Sequence, residues 1–180
     1  MDIQTLKKSL CNVNQCDSGI FLLEEKDRSA TLKKVSLCDV PKGALVVRMD
    51  NKVGFHHFLK DQKSWGFNKH SDYLVITQDK LVFIELKSKK EVGQGLTDEC
   101  QQKFASDGCT LYYADKIFEM LLHKNSFFDN REPHYVLLFQ APSIAKTSTS
   151  VETMSPNTTP DNFRPIPVSN EGTISFFKTI

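Results

Sequence analysis

Three ionisable side chains stand where a β-hairpin should be wholly apolar. The stretch Ser71-Asp72-Tyr73-Leu74-Val75-Ile76-Thr77 is followed, across Gln78-Asp79-Lys80, by Leu81-Val82-Phe83-Ile84-Glu85-Leu86-Lys87. Both halves are rich in β-branched and aromatic residues around a polar break, the pattern of two strands folded back on each other. Side chains alternate along a strand, so Glu85 and Lys87 share one face. The turn decides where Asp72 goes. A two-residue turn at Gln78-Asp79 sets it opposite Glu85, one at Asp79-Lys80 sets it opposite Lys87, and a three-residue turn sends it to the other face. Two carboxylates held together repel unless a cation lies between them, and an all-oxygen ligand set suits Mg²⁺ or Mn²⁺. A neighbouring lysine can orient a metal-bound water and stabilise charge developing at phosphorus. The plainer alternative is a same-face charge pair worth under about 1 kcal/mol.

Asp72, twelve residues, then Glu85-Leu86-Lys87 resembles the active-site signature of the PD-(D/E)XK nuclease superfamily. Ser71 stands where the Pro that names the family would be. The resemblance spans roughly Lys69 to Phe104 and implies a restriction-endonuclease-like core in which the Asp and the Glu-x-Lys triplet occupy neighbouring strands of a mixed sheet. It implies a Mg²⁺- or Mn²⁺-dependent nuclease with Asp72, Glu85 and the Leu86 backbone carbonyl as metal ligands and Lys87 orienting the attacking water. A helix after the Glu-x-Lys strand often supplies a Gln or Lys in this superfamily, which nominates Gln101 as catalytic and Lys103 as substrate-binding. A further acidic residue is usual, and Glu24, Glu25 and Asp61 are the candidates. The expected substrate is nucleic acid, DNA before RNA. The alternative is a catalytically inactive nuclease-like module that binds nucleic acid or a protein partner.

Other residues extend the candidate site. Lys89 and Lys90 follow Lys87 and make a basic lip suited to a phosphodiester polyanion. His70 lies two residues before Asp72, on the same face of a strand, and could meet a phosphate or the metal. His56 and His57 are adjacent on an expected helix, point about 100° apart and chelate one ion poorly.

The elements that must position these groups are those of one α+β domain of 180 residues, a mixed central sheet flanked by helices. Ile3, Leu6 and Leu10 suggest a short first helix. Ile20–Leu23, Ala30–Leu37 and Ala44–Val47 read as three strands of an antiparallel meander. A helix is expected over Val53–Trp65, another from Leu96 to about Ala105 with Thr97 as cap, and a third over Leu111–Lys124. His134–Phe139 is a near-continuous apolar run, as in a strand buried on both faces. The expected organisation is a nuclease-like domain over 1–142, a Ser/Thr/Pro-rich loop or linker over 143–170, and a terminal strand over 171–180 that returns to a sheet edge.

A net charge of +1 neither marks nor excludes a nucleic-acid binder, because binding needs a local basic face. No apolar run reaches the length of a membrane span and the first residues lack a signal-peptide core, so an intracellular, cytoplasmic protein away from membranes is expected, with a homodimer or larger complex possible. Five cysteines, Cys11, Cys16, Cys38, Cys100 and Cys109, are odd in number without a CxxC spacing, so reduced thiols are expected.

Overall fold

In a computed structural model, residues 2–10, 13–49, 69–121, 123, 125, 126, 130–140 and 156–180 are described. The expected helix over Val53–Trp65, with His56, His57 and Asp61, lies outside them, as does Cys11. The chain begins with helix α1 (Ile3–Ser9), capped by the Asp2 carboxylate accepting the Thr5 N–H at 2.9 Å. The strands that follow are β1 (Val13–Cys16), β2 (Phe21–Glu24), β3 (Lys34–Cys38), β4 (Ala44–Arg48), β5 (Tyr73–Ile76) and β6 (Lys80–Lys87). Helix α2 (Gln94–Met120), β7 (Glu132–Gln140), β8 (Arg164–Val168) and β9 (Gly172–Ser175) complete the fold.

Two sheets form. Six strands run in the order β1-β4-β5-β6-β7-β8, and three in the order β2-β3-β9. The large sheet is mixed: β1, β4, β5 and β6 pair antiparallel, whereas β6–β7 and β7–β8 are parallel. Alternation in β5 and β6 sends Tyr73, Val75, Val82, Ile84 and Leu86 to a core shared with the small sheet. Leu74, Ile76, Leu81 and Phe83 go to the opposite core, against Leu6 of α1 and Leu96, Cys100, Phe104, Leu111 and Phe118 of α2. The central strands are therefore apolar on both faces, and a charged residue placed there is enclosed. Tyr73 ties the two sheets: its Oη donates to the Glu24 carbonyl and accepts the Glu24 N–H, both at 2.8 Å.

The structure departs from the sequence reading in five places, the first being that Val13–Cys16 is a strand, β1, where none was expected. The expected meander stops after β3, because the chain turns through Asp39 and Gly43, both at positive φ, and β4 joins the large sheet between β1 and β5. The two helices expected on either side of 106–110 are one 27-residue helix. Thr97 is not its cap: the helix starts at Gln94, and the Thr97 hydroxyl donates to the Gly93 carbonyl. Within the stretch expected as a linker, Arg164–Val168 is a strand parallel to β7, with Pro165 and Pro167 alternating along the outer edge of the large sheet. The terminal strand does return to a sheet edge, as β9 parallel to β3 in the small sheet.

Candidate active site

Three elements converge on one spot. The first is the β5–β6 hairpin, whose register is set by a two-residue turn at Gln78-Asp79: the Thr77 N–H donates to the Lys80 carbonyl at 2.9 Å and Tyr73 pairs with Ile84. No glycine is needed, because neither Gln78 nor Asp79 takes a positive φ, and the Thr77 hydroxyl braces the turn by accepting the Lys80 N–H at 2.9 Å. The pairing ends at Tyr73–Ile84, and Asp72 lies just beyond it with its carboxylate on the Leu86 N–H, so Asp72, Glu85 and Lys87 gather at one end of the hairpin.

Glu85 is fully buried. Its Oε1 accepts from Lys87 Nζ at 2.9 Å and from Lys103 Nζ at 2.5 Å. Its Oε2 is enclosed and has no hydrogen-bond partner. Burial pushes the Glu85 carboxyl up, against the pull of Lys103 and Lys87. Burial alone would push the Lys87 ammonium down, but Glu85 and Glu99 together hold it above its ordinary value, with Glu99 Oε1 at 2.8 Å from Lys87 Nζ. Asp72 is pushed up to about 8, first by burial and then by the charge of Glu85, with Lys103 and the Leu86 N–H acting in the opposite direction.

The second element is α2. Glu99, Lys103 and Asp107 are spaced four apart, about 6 Å of rise each, on one face. Each grips a different part of the hairpin: Glu99 holds Lys87, Lys103 holds Glu85, and Asp107 holds the residues leading into β5. Asp107 is fully buried; its Oδ1 takes His70 Nδ1 at 2.8 Å and its Oδ2 takes the Ser71 N–H at 3.0 Å. The third element is the loop between β2 and β3. It is tied to the end of β6 where Ser88 Oγ accepts the Thr31 and Leu32 N–H groups at 2.8 and 3.0 Å.

Of the residues nominated from sequence, Asp72, Glu85, Lys87 and Lys103 are brought together. Leu86 lies among them, donating its N–H to Asp72 Oδ2 at 2.7 Å. Lys89 and Lys90 are exposed just beyond the strand. Gln101 is not brought to the carboxylates: two helical positions from Lys103 put it about 200° around α2, where its Nε2 donates to the Asp161 carbonyl. His70 is no surface phosphate contact, being buried with Nδ1 on Asp107 and its Nε2 unpartnered. Among the extra acids, Glu24 pairs with Lys34 at 3.2 Å, while the charge of Glu25 adds to the potential that raises Asp72. Sequence reasoning missed Glu99 and Asp107. The signal was there in the four-residue spacing with Lys103, hidden by the division of α2 into two helices.

Among the described residues no three His, Cys, Asp or Glu side chains form a ready metal cage. Mg²⁺ seldom uses one; it binds through one or two carboxylates and completes its shell with water and substrate oxygens. The donors here suit that habit: Glu85 Oε2 is buried without a partner, and Asp72 commits only Oδ2. Cys16, Cys38, Cys100 and Cys109 are free thiols, and Cys100 beneath Glu85 is pushed up to about 12 by burial and by that carboxylate, which keeps it inert. Among the described residues no helix is long and apolar enough to cross a membrane.

The chain is thus a mixed α+β protein, a mixed six-stranded sheet with a long helix on one face and a smaller sheet on the other. Comparison with family models, curated proteins and solved structures gives no match to this chain.

Proposed function

We propose that this protein is a metal-dependent nuclease of the PD-(D/E)XK type, hydrolysing phosphodiester bonds in DNA or RNA. The observation that carries the reading is the meeting of two carboxylates at the hairpin end: Asp72 holds the Leu86 N–H, and the adjacent Glu85 keeps its Oε2 buried and unpartnered with Lys87 on the same carboxylate. Asp72, Glu85 Oε2 and the Leu86 carbonyl are the groups that would hold Mg²⁺ or Mn²⁺. Such an ion supplies Lewis acidity and a lowered pKa for its water.

The chain's own residues do the rest. Lys87, held protonated between Glu85 and Glu99, acts as a fixed ammonium that orients the attacking water and meets negative charge growing on the phosphoryl oxygens. Lys103 adds a second positive charge from α2. Lys89 and Lys90 contact phosphates flanking the scissile one. A divalent ion also favours the ionised form of Asp72, which the protein alone disfavours.

One observation favours a second reading, an inactive nuclease-like module that binds nucleic acid or a protein. Lys87 and Lys103 already balance the two carboxylates Glu85 and Glu99, and burial favours the neutral form of Asp72, so the cluster is electrically complete without an ion. Incubation of the purified chain with labelled single-stranded DNA, duplex DNA and RNA, in Mg²⁺, Mn²⁺ or EDTA, separates the two. The nuclease reading expects metal-dependent cleavage that Glu85→Ala and Lys87→Ala each reduce by at least about a hundredfold. Cleavage that survives both substitutions, or no cleavage of any substrate, leaves the module.

A further inference from the structure

The hydrogen bonds at the open end of the hairpin do not follow the ladder that the turn sets up. The closing pair Thr77 and Lys80 is hydrogen-bonded, and with that register every second pair outward is too, which makes Ser71 and Leu86 the next pair after Tyr73 and Ile84. Neither bond of that pair follows the regular pattern. The Ser71 N–H, which should donate to the Leu86 carbonyl, donates to Asp107 Oδ2 at 3.0 Å. The Leu86 N–H, which should donate to the Ser71 carbonyl, donates to Asp72 Oδ2 at 2.7 Å. The Asp72 N–H meanwhile swings onto the Ile84 carbonyl at 3.1 Å. Two carboxylates have replaced two backbone partners.

A residue's N–H and C=O point to the same edge of its strand, so the Leu86 carbonyl faces the Asp72 carboxylate bound to its own N–H. It lacks the Ser71 N–H that would have covered it. We infer that Asp107 is a positioning residue: by drawing the Ser71 N–H onto α2 it unzips the last pair of the β5–β6 ladder and exposes the Leu86 carbonyl as an oxygen ligand beside Asp72 and Glu85. This rests on the metal reading above. Asp107 itself touches neither the ion nor substrate; it acts through Ser71 and, by its second oxygen, through His70, whose Nδ1 lies 2.8 Å away. Full burial fixes this arrangement, because a carboxylate enclosed there must keep both of its donors.

The test is Mg²⁺ titration of the ¹³C,¹⁵N-labelled full chain by NMR, following the carbonyl carbon of Leu86, in wild type and in Asp107→Asn, whose amide can accept only one of the two donors. In wild type, Mg²⁺ is expected to shift the Leu86 carbonyl carbon and leave the Asp107 carboxyl carbon in place. In Asp107→Asn the Mg²⁺ dissociation constant is expected to rise at least about tenfold, as for other supports of metal ligands, with the Leu86 shift lost and the β7 amide positions unchanged. Equal affinity and an equal Leu86 shift in the variant overturn the role of Asp107 while leaving the metal reading intact. Absence of Mg²⁺ binding in wild type overturns both. Should Asp107→Asn not fold, wild type decides alone: a Leu86 carbonyl that stays still while Mg²⁺ binds, or an Asp107 carboxyl that moves with it, overturns the inference.

Discussion

Asp72 shows what placing a carboxylate at a buried hairpin end costs a protein. Its carboxyl is pushed up to about 8, whereas in an unfolded chain it titrates near 3.9. Between about pH 4 and pH 8 the folded form therefore binds a proton that the unfolded form has released. Stability falls as pH rises through that window. Asp72→Asn keeps an oxygen for the Leu86 N–H and removes the ionisation. In EDTA, the melting temperature of Asp72→Asn is expected to exceed that of wild type by at least about 3 °C at pH 8 and to match it near pH 4. Equal melting curves at pH 8 would show that the carboxylate is not strained there. Under the proposed nuclease function the same substitution is expected to abolish metal-dependent cleavage, so that stability and activity would move in opposite directions at this residue.

Helix α2 does two jobs along one stripe. Leu96, Cys100, Phe104, Leu111 and Phe118 pack into the core, while Glu99, Lys103 and Asp107 reach the hairpin. The helix was legible only in halves. Apolar spacing identified both ends, but the buried stripe passes through Ser106 and Asp107, and Gly108 follows; polar residues and a glycine there read as a break. Tertiary contacts override that local signal, since Asp107 is satisfied by β5 rather than by solvent. Gly108 itself is open to improvement: a Cβ built there would meet Tyr135 Oη at 4.0 Å, an ordinary contact. Gly108→Ala is expected to stabilise the protein by roughly 0.5–1 kcal/mol, read as a higher urea midpoint with unchanged slope. The hairpin, by contrast, was readable as an element because its pairing is local. The sequence alone leaves its register open among three turns, since Gln78-Asp79 lacks the glycine that usually announces a two-residue turn, and the brace from Thr77 is a side-chain contact. The departure of β4 from the expected meander belongs to the same class: which sheet a strand joins is a long-range choice.

At the scale of the whole molecule, two cores sandwich the large sheet and leave the candidate site at its rim, where β5, β6 and α2 meet. An ion bound there would contact the hairpin directly and the helix through its charge network, so binding should report on global stability. With Mn²⁺ at a hundredfold its dissociation constant, unfolding is expected to cost about 2.7 kcal/mol more, visible as a melting temperature higher by roughly 5–11 °C that EDTA reverses and Glu85→Ala removes. No shift at any Mn²⁺ concentration would favour the inactive module. Composition concealed β8, because Pro165 and Pro167 argue against a strand. They are compatible with it since alternate residues of an edge strand turn their N–H away from the sheet, and the intervening Arg164, Ile166 and Val168 keep theirs for β7. That placement has a consequence for the protein in concentrated solution. A sheet with an open flank invites a neighbour's extended chain to dock and extend it, the first step toward fibrils. Among the described residues no strand pairs beyond β8, and Pro165 and Pro167 remove the N–H groups that would point outward, so a foreign chain finds its hydrogen-bonding register interrupted twice and growth from this side is disfavoured.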